Sequence, residues 1–262
     1  MTAAAEDSSA TEISVDRFLG GLVTLVQPRR GHRAGLDAAL LQALVPAGAS
    51  GHAIDLGSGV GTVAFSLAAR AAALTVTGVE RDGGLVACGR AALARPENAA
   101  FADRVRLVEA DVTARLEERS SLGLVDRSAD WLLMNPPFDL AGQVRASPDA
   151  RRRSAHVTEP GSLEGWCRTA AGFAKPGALL GLIHRAQALP DVLAALAGWF
   201  GDIRLLPVHP AAGDPAIRIL VRARGGSRAG PQIMPGLVLH QPDGSWTPAV
   251  DALLRGRAEL QL

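Results

Sequence analysis

The fold of this 262-residue chain is decided by one stretch, Ile54-Asp55-Leu56-Gly57-Ser58-Gly59-Val60-Gly61. An apolar run ends in an acidic residue, and glycines in the pattern GxGxG then lead into an alanine-rich stretch with helical spacing. Glycine allows a tight turn and lets a ligand approach the backbone closely. Dinucleotide-binding loops carry the spacing GxGxxG instead, and a carboxylate at position 55 would repel a pyrophosphate. The stretch therefore predicts a strand–loop–helix unit that binds a ligand carrying positive charge.

Strand-like and helix-like patterns alternate on both sides of this loop. Alanine-rich helical stretches lie between short apolar runs, which occupy residues 52–56, 74–79, 105–108, 131–134 and 178–183. This order predicts an α/β protein with a parallel sheet and helices on both faces. The last two apolar runs, at 203–208 and 216–223, are joined by a turn too short for a crossover, which predicts an antiparallel pair.

The pattern divides the chain into four segments. Residues 1–12 are rich in alanine and serine and predict a disordered tail without the features of a signal peptide. Residues 13–50 predict a hairpin around Gly20-Gly21 and a helix that cap the core, which spans 51–224. Residues 225–262 form a C-terminal extension rich in glycine and proline. Because the longest apolar run is too short to span a bilayer, we expect a cytoplasmic protein without a membrane partner.

The composition excludes several kinds of chemistry. The net charge is +1, so nothing global requires a nucleic acid or a membrane. There is no tyrosine, and Lys175 is the single lysine, which argues against phenol, Schiff-base and P-loop lysine mechanisms. Cys88 and Cys167 are isolated and predict neither a disulfide framework nor a metal site.

Three acidic residues follow predicted strands. Asp55 ends the first, Glu80 closes the second, and Asp111 comes shortly after the third. Carboxyl ends of neighbouring parallel strands form the usual ligand edge of an open sheet, where these carboxylates would meet an ammonium group, a ribose diol and an adenine amino group. Any one of them is also explained as a helix cap or a solvated loop acid. The three together favour a binding site.

A second motif, Asn135-Pro136-Pro137-Phe138, follows the fourth strand. The two prolines fix the turn and lack an N–H, so the polar groups offered there are acceptors, including the Asn135 side-chain oxygen. Phe138 offers a ring face to a planar substrate. Such acceptors suit an amino group with two N–H donors. A purely structural Pro-Pro turn is the alternative interpretation.

The glycine loop and the three acids resemble the class I S-adenosylmethionine-dependent methyltransferases. The resemblance implies a Rossmann-like sheet of seven strands, mostly parallel with an antiparallel last strand, and makes 51–224 the methyltransferase core. It implies S-adenosylmethionine as the cofactor, no metal, and a cofactor site composed of Arg33, Asp37, Asp55, Gly57, Ser58, Gly59, Gly61, Glu80, Arg81, Asp111, Val112 and Asn135.

The Asn135–Phe138 tetrapeptide resembles the NPP[YF] motif of amino methyltransferases, and the stretch Gly35-Leu36-Asp37-Ala38-Ala39-Leu40-Leu41 resembles the bacterial tRNA(Val) adenine-N6 methyltransferase family. Together they imply that Asn135, Pro136, Pro137 and Phe138 are catalytic and that tRNA is the partner. That family commonly has tyrosine where Phe138 stands. Basic residues flanking the two motifs are candidate substrate contacts, namely Arg30, Arg145, Arg151, Arg152, Arg153 and His156.

The sequence thus predicts a methyltransferase of an exocyclic adenine N6 amino group in tRNA. Two alternatives stay open: a methyltransferase of a small molecule or a protein glutamine, and a protein that binds cofactor or RNA without turnover. A nicotinamide dehydrogenase is disfavoured by Asp55 and by the tetrapeptide. The oligomeric state is not readable from the sequence.

Overall fold

The computed structural model describes residues 12–30, 33–138 and 162–262. Most of the tail predicted at 1–12 lies outside these ranges, as do five of the candidate substrate contacts, Arg145, Arg151, Arg152, Arg153 and His156. None of the described helices is both long enough and apolar enough to cross a lipid bilayer.

The described chain begins with an antiparallel hairpin. Strand β1 (Ile13–Phe18) pairs with β2 (Val23–Pro28) through a short 3₁₀ turn at Leu19–Gly21. The turn reverses the chain tightly because Gly20 and Gly21 adopt φ of 66° and 92°, which L side chains rarely tolerate. Helix α1 (Leu36–Gln42) follows, and its buried leucines pack on the central sheet.

The central domain alternates strands and helices along the chain. Its strands are β3 (Ser50–Leu56), β4 (Ala73–Glu80), β5 (Val105–Glu109), β6 (Ala129–Met134), β7 (Ala174–Arg185), β8 (Phe200–His209) and β9 (Arg218–Gly225). Its helices are α2 (Thr62–Arg70), α3 (Gly83–Leu93), α4 (Leu116–Ser121), α5 (Leu163–Phe173) and α6 (Leu189–Leu196). The C-terminal residues add β10 (Gln232–Ile233), β11 (Leu237–Val238) and α7 (Pro248–Leu254).

The strands form one mixed, mostly parallel sheet. Its order is β10-β8-β9-β7-β6-β3-β4-β5, and β11 pairs with β8 as well. Strand β9 is antiparallel to both of its neighbours, β7 and β8, whereas the pairs from β7 to β5 are parallel. The α/β architecture with a mostly parallel sheet is therefore confirmed.

The predicted number of seven strands is wrong, because the described sheet has nine. The two additional strands come from the C-terminal extension, where β10 and β11 pair with the outer edge of β8 over two residues each. A strand of two residues is too short to show an alternation of apolar and polar side chains. Pairing at this edge therefore depends on where the C-terminal segment lies in the tertiary structure.

Helices cover both faces of the sheet. Side chains alternate along β6, so that Leu133 packs with α1 and α2 while Leu132 and Met134 pack with α5 and α6. Helix α7 joins the first face by burying Val250 and Leu253. Both faces are thus closed by apolar packing, and the carboxyl edge of the parallel strands remains for ligands.

The N-terminal hairpin is attached to the core through Asn98, a fully buried residue just after α3. Its side-chain amide donates to the carbonyl oxygens of Thr24 and Ala92, both at 2.8 Å, and its side-chain oxygen accepts the Thr24 N–H at 3.0 Å. One side chain thereby satisfies both backbone groups of a residue in the middle of β2.

We expect Asn98→Ala to lower the free energy of unfolding by about 3 kcal/mol, because it leaves buried backbone groups of Thr24 and Ala92 without partners. Urea unfolding followed by circular dichroism measures this change. The matched control is Glu97→Ala, an exposed neighbour in the same turn, for which we expect less than about 0.5 kcal/mol. Equal stabilities of the two variants would show that Asn98 does not anchor the hairpin.

Candidate active site

The glycine loop lies between the end of β3 and the start of α2. Gly57, Gly59 and Gly61 have φ of 73°, 56° and 91°, a region that disfavours every side chain. A Cβ atom at Gly57 would come within 2.5 Å of the Trp166 ring, whereas one at Gly59 would have no atom within 4 Å. The loop is therefore packed against α5 at its first glycine and has open space beside its second.

Backbone hydrogen bonds hold this loop against the next strand. The N–H groups of Gly57 and Ser58 both donate to the carbonyl oxygen of Val79, at 2.8 and 3.0 Å. The Ser58 hydroxyl is buried and has no hydrogen-bond partner among the described residues. The loop is thus positioned by the end of β4, one residue before Glu80.

Asp55 is a buried carboxylate directly beneath the loop. It is only 2% exposed, and its Oδ2 accepts the Ala64 N–H of α2 at 3.1 Å. Burial and, to a smaller extent, the neighbouring Glu80 carboxylate raise the pKa of Asp55 to about 7, against the lowering effect of the Ala64 hydrogen bond. A carboxyl group in this environment is stabilised in its charged form by a nearby cation.

Glu80 and Asp111 complete an acidic edge. Glu80 Oε2 accepts the Gly59 N–H and Oε1 accepts the Asp82 N–H, both at 2.9 Å, so this carboxylate links the glycine loop to the start of α3. The Ala110 N–H donates to the Glu80 carbonyl oxygen, which places the next acid beside it. Asp111 is exposed, and its Oδ1 accepts both the N–H and the hydroxyl of Thr113 at 2.7 Å.

The three predicted acids therefore end three adjacent strands, β3, β4 and β5. Val112, the residue after Asp111, is buried, and Arg81, the residue after Glu80, is exposed. Each of the three carboxylates retains acceptor capacity beyond the bonds described, because an ionised carboxylate offers about four lone-pair sites. This edge fits a ligand that carries an ammonium group, a diol and an amino-substituted base.

The Asn135-Pro136-Pro137-Phe138 motif lies at the same edge of the sheet, immediately after β6. Met134 is in register with Leu56 of β3 and with Leu182 of β7, so the motif begins beside the glycine loop. Pro136 is buried and Pro137 is exposed. The acidic edge and the acceptor-rich turn are therefore neighbours.

Two residues that the sequence analysis does not select surround Phe138. The Arg218 guanidinium carbon lies 4.8 Å from the Phe138 ring centroid, in cation–π geometry. The His184 ring meets Phe138 edge-on, with centroids 5.0 Å apart and an interplanar angle of 60°. His184 is buried, its Nδ1 has no hydrogen-bond partner among the described residues, and burial lowers its pKa. Arg218 lies in the apolar run predicted at 216–223 and His184 directly follows the run predicted at 178–183, and nothing in their sequence context marks them.

Arg33 and Asp37, which the sequence places in the cofactor site, are both engaged in ion pairs. Arg33 pairs with Asp16 of β1 at 2.8 Å. Both carboxylate oxygens of Asp37 accept from the Nε of Arg218 at 3.1 Å. Asp37 thus lies on the Phe138 side of the site, and the hydrogen bond spans 181 residues of sequence. Arg30 is the one predicted substrate contact that lies within the described residues. It is exposed, two residues after the end of β2.

Comparison with known proteins agrees with this geometry. Residues 34–151 match the family described as the methyltransferase small domain. Two curated relatives from strains of Porphyromonas gingivalis are both named tRNA1(Val) (adenine(37)-N6)-methyltransferase. One is 30% identical over 224 residues, which cover 82% of this chain and 84% of the relative. The other is 31% identical over 165 residues, and the alignment spans 61% of each protein.

A solved structure from Agrobacterium tumefaciens, described as a predicted O-methyltransferase, superimposes with a TM-score of 0.74 at 35% identity and covers 86% of this chain and 98% of that one. The overall similarity to it includes sequence as well as fold. The glycine loop and acidic edge also fit the cofactor of these enzymes. The chain belongs to the family of S-adenosylmethionine-dependent methyltransferases that includes the tRNA1(Val) (adenine(37)-N6)-methyltransferases.

Proposed function

We propose that this protein transfers a methyl group from S-adenosylmethionine to the exocyclic N6 of an adenine in tRNA. The observation that carries the proposal is the acceptor-rich turn Asn135-Pro136-Pro137-Phe138, which begins beside the glycine loop at the end of β6. The names of the curated relatives support the same acceptor class. For an enzyme with this substrate we expect action in the cytoplasm.

We assign the acidic edge to the cofactor. Asp55 would attract its ammonium group, Glu80 would accept from its ribose hydroxyls, and Asp111 with Val112 would contact its adenine. Further contacts at the rim of the site are assigned to Arg33, Asp37, Gly57, Ser58, Gly59, Gly61, Arg81 and Asn135. When bound, the cofactor supplies an electrophilic methyl group on a sulfonium centre.

The turn after β6 is assigned to the target amino group. Its N–H groups would donate to the Asn135 side-chain oxygen and to carbonyl oxygens of the Pro136-Pro137 turn, which favours a pyramidal nitrogen with a free lone pair. In the proposed transfer the target nitrogen would take the methyl group as its bond to the cofactor sulfur breaks, which would leave S-adenosylhomocysteine, and the acidic proton of the product cation would pass to water. Because that proton leaves readily, no general base is required. Positioning of this kind supplies up to roughly 7–11 kcal/mol of a barrier.

Phe138 would stack on the target base with one face only. The Arg218 guanidinium already covers one face of the ring, and Asp37 holds that guanidinium in place. The His184 ring supports the Phe138 edge. The opposite face of Phe138 is therefore the one assigned to adenine, and Arg218 acts as a positioning residue for the ring.

The first test is methyl transfer from tritiated cofactor to undermethylated tRNA, followed by nucleoside analysis. We expect label in N6-methyladenosine. Because Asn135→Ala removes a proposed acceptor, we expect a loss of about 100-fold in kcat.

Phe138→Ala removes the stacking face and should lower methyl-transfer activity by about 10- to 100-fold, whereas Phe138→Tyr keeps the ring and should lower it far less.

Equal losses in Phe138→Ala and Phe138→Tyr would contradict the stacking role. Label in a ribose oxygen would contradict the nitrogen acceptor, and strong turnover of a small molecule or a protein without RNA would favour those substrate classes instead. A wild-type protein that binds cofactor and labels nothing would indicate a binding protein.

A second prediction concerns the charge of Asp55 in the cofactor-free protein. The folded-state pKa of about 7 exceeds the ordinary value of 3.8, so between pH 4 and pH 7 the folded state holds a proton that the unfolded state has lost. The Asp55 contribution to the free energy of unfolding therefore falls as pH rises through this window, by roughly 4 kcal/mol in total. Asp55→Asn removes this contribution, so its stability relative to wild type should increase from pH 5 to pH 8 in urea unfolding.

Binding provides the complementary readout for Asp55. At pH 6, an ammonium ligand should convert the carboxyl group to its charged form and release about one proton. Calorimetry with S-adenosylhomocysteine in two buffers of different ionisation enthalpy measures that proton. We expect release from wild type, and weaker binding without release for Asp55→Asn. Identical proton release by both proteins would assign the effect to another group.

A third prediction separates Arg218 from the reacting groups. Arg218→Ala leaves Phe138 without its cation–π partner and Asp37 without its ion pair, so we expect at least a tenfold rise in KM for tRNA and little change in S-adenosylhomocysteine affinity. Arg204→Ala, an arginine on the neighbouring strand β8 with a pair to Asp202, is the matched control. An unchanged KM in Arg218→Ala would exclude a positioning role.

A further inference from the structure

A groove lined by arginines lies on the face of the sheet that α4 and α5 cover. Its volume is about 550 Å³, and it is open to solvent. The lining includes one carboxylate and one large aromatic ring, and its charged and aromatic members are Arg115, Arg119, Asp126, Arg127, Arg168 and Trp199. Four arginines and one carboxylate line the groove, so arginine is its predominant charged residue in a chain whose net charge is only +1.

Three of these arginines are not neutralised by the protein. Within the described ranges, Arg115, Arg119 and Arg127 take part in no ion pair, in contrast to the paired arginines elsewhere on the surface. Arg119 is fixed instead by the buried Phe173 ring, whose centroid lies 4.8 Å from its guanidinium carbon. The Nε and Nη1 of Arg119 are buried and have no hydrogen-bond partner among the described residues. The uncompensated charge of the three guanidinium groups favours an anionic ligand.

The backbone at Arg127 provides an independent observation. Arg127 has φ of 50°, a left-handed conformation that is uncommon for residues other than glycine and asparagine. Its N–H donates to the Gly172 carbonyl oxygen at the end of α5 at 2.9 Å, which holds the turn against the groove. Glycine would satisfy this backbone at lower cost, so the structure itself gives no reason for an arginine here.

The position and the lining indicate which anion would bind. The groove starts at Thr113 and Ala114, two residues after Asp111 on the acidic edge, and extends to Trp199, which directly precedes β8 and is 43% exposed. Three arginines without ion pairs, spread along the groove at positions 115, 119 and 127, suit more than one phosphate group, and an exposed indole offers a stacking face for a base. An extended chain of phosphates that carries flat bases matches both features.

We propose that this groove binds the sugar–phosphate backbone of the RNA substrate, outside the pocket for the target base. The proposal rests on the proposed function, because it assigns a second contact region to the same substrate. In this assignment Arg115 and Arg127 contact phosphate groups, and Trp199 stacks on a base. Arg119 packs on the Phe173 ring and forms the bottom of the groove. Binding there raises affinity for RNA and leaves the chemistry at Asn135 unchanged.

The test uses the double variant Arg115→Ser/Arg127→Gly, chosen so that neither change disfavours folding. Serine is a preferred residue at the N-cap position that Arg115 occupies before α4, and glycine relieves the left-handed backbone at position 127. The control, Arg17→Ser/Arg257→Ser, removes two exposed arginines from the hairpin and from the segment after α7. Binding of undermethylated tRNA is measured from 50 to 300 mM salt, together with steady-state kinetics.

We expect the groove variant to bind tRNA at least tenfold more weakly at 0.1 M salt, with a slope of log affinity against log salt that is smaller by about one to two. Its KM for tRNA should rise while kcat and S-adenosylhomocysteine affinity stay unchanged. The control should retain most of the affinity. Trp199→Ala should weaken binding without changing the salt slope, because stacking releases no counterions.

Several outcomes would overturn the proposal. A groove variant that binds and methylates tRNA like wild type excludes the groove while leaving the proposed function intact. Equal losses in the groove variant and the control indicate a general charge effect. Competition by polyglutamate as effective as that by tRNA indicates a polyanion site without RNA character. If wild-type protein neither binds nor methylates tRNA, the proposed function and the groove assignment fail together.

Discussion

Parallel pairing of β3 with both β4 and β6 is the constraint on which the rest of the site depends. In this register Asp55 lies opposite Gly78 and Leu133, so the next residues of all three strands reach the same edge together. The Val79 carbonyl oxygen then holds the glycine loop through two N–H donors, and Glu80 accepts a third from Gly59. A shift of one residue in the register of β3 would turn its side chains to the opposite face of the sheet, and these hydrogen bonds could not form.

The same edge joins two electrostatically different regions. On one side are three carboxylates, of which Asp55 is buried beneath the loop with its pKa raised to about 7. The other side holds the Pro136-Pro137 turn, whose two prolines have no N–H to donate. Phe138 follows this turn, and its ring contacts Arg218 and His184. A positively charged cofactor suits the first region and an uncharged amino group suits the second. Their adjacency is what a methyl transfer between two such groups requires.

Much of the fold and part of the site could be predicted from local sequence. The glycine loop, the acids at the carboxyl ends of β3, β4 and β5 and the Pro-Pro turn are signals that lie within a few residues of the chain. Local sequence does not predict β10 and β11, because each is only two residues long. They form where the C-terminal segment pairs with the edge of β8. The contact between Arg218 and Asp37 is not predictable from local sequence either, because their hydrogen bond joins residues 181 positions apart.

The order of strands and helices, the loop geometry that glycines permit and the chemical character of each strand end follow from local sequence. These properties depend on backbone sterics and on the period of apolar residues, which act over short distances along the chain. Long-range packing, by contrast, places Arg218 over Phe138, pairs Asp37 with Arg218, and brings Arg115, Arg119 and Arg127 into one groove. Such contacts depend on which surfaces meet when helices pack on the sheet, and that packing brings together residues with no shared sequence signal.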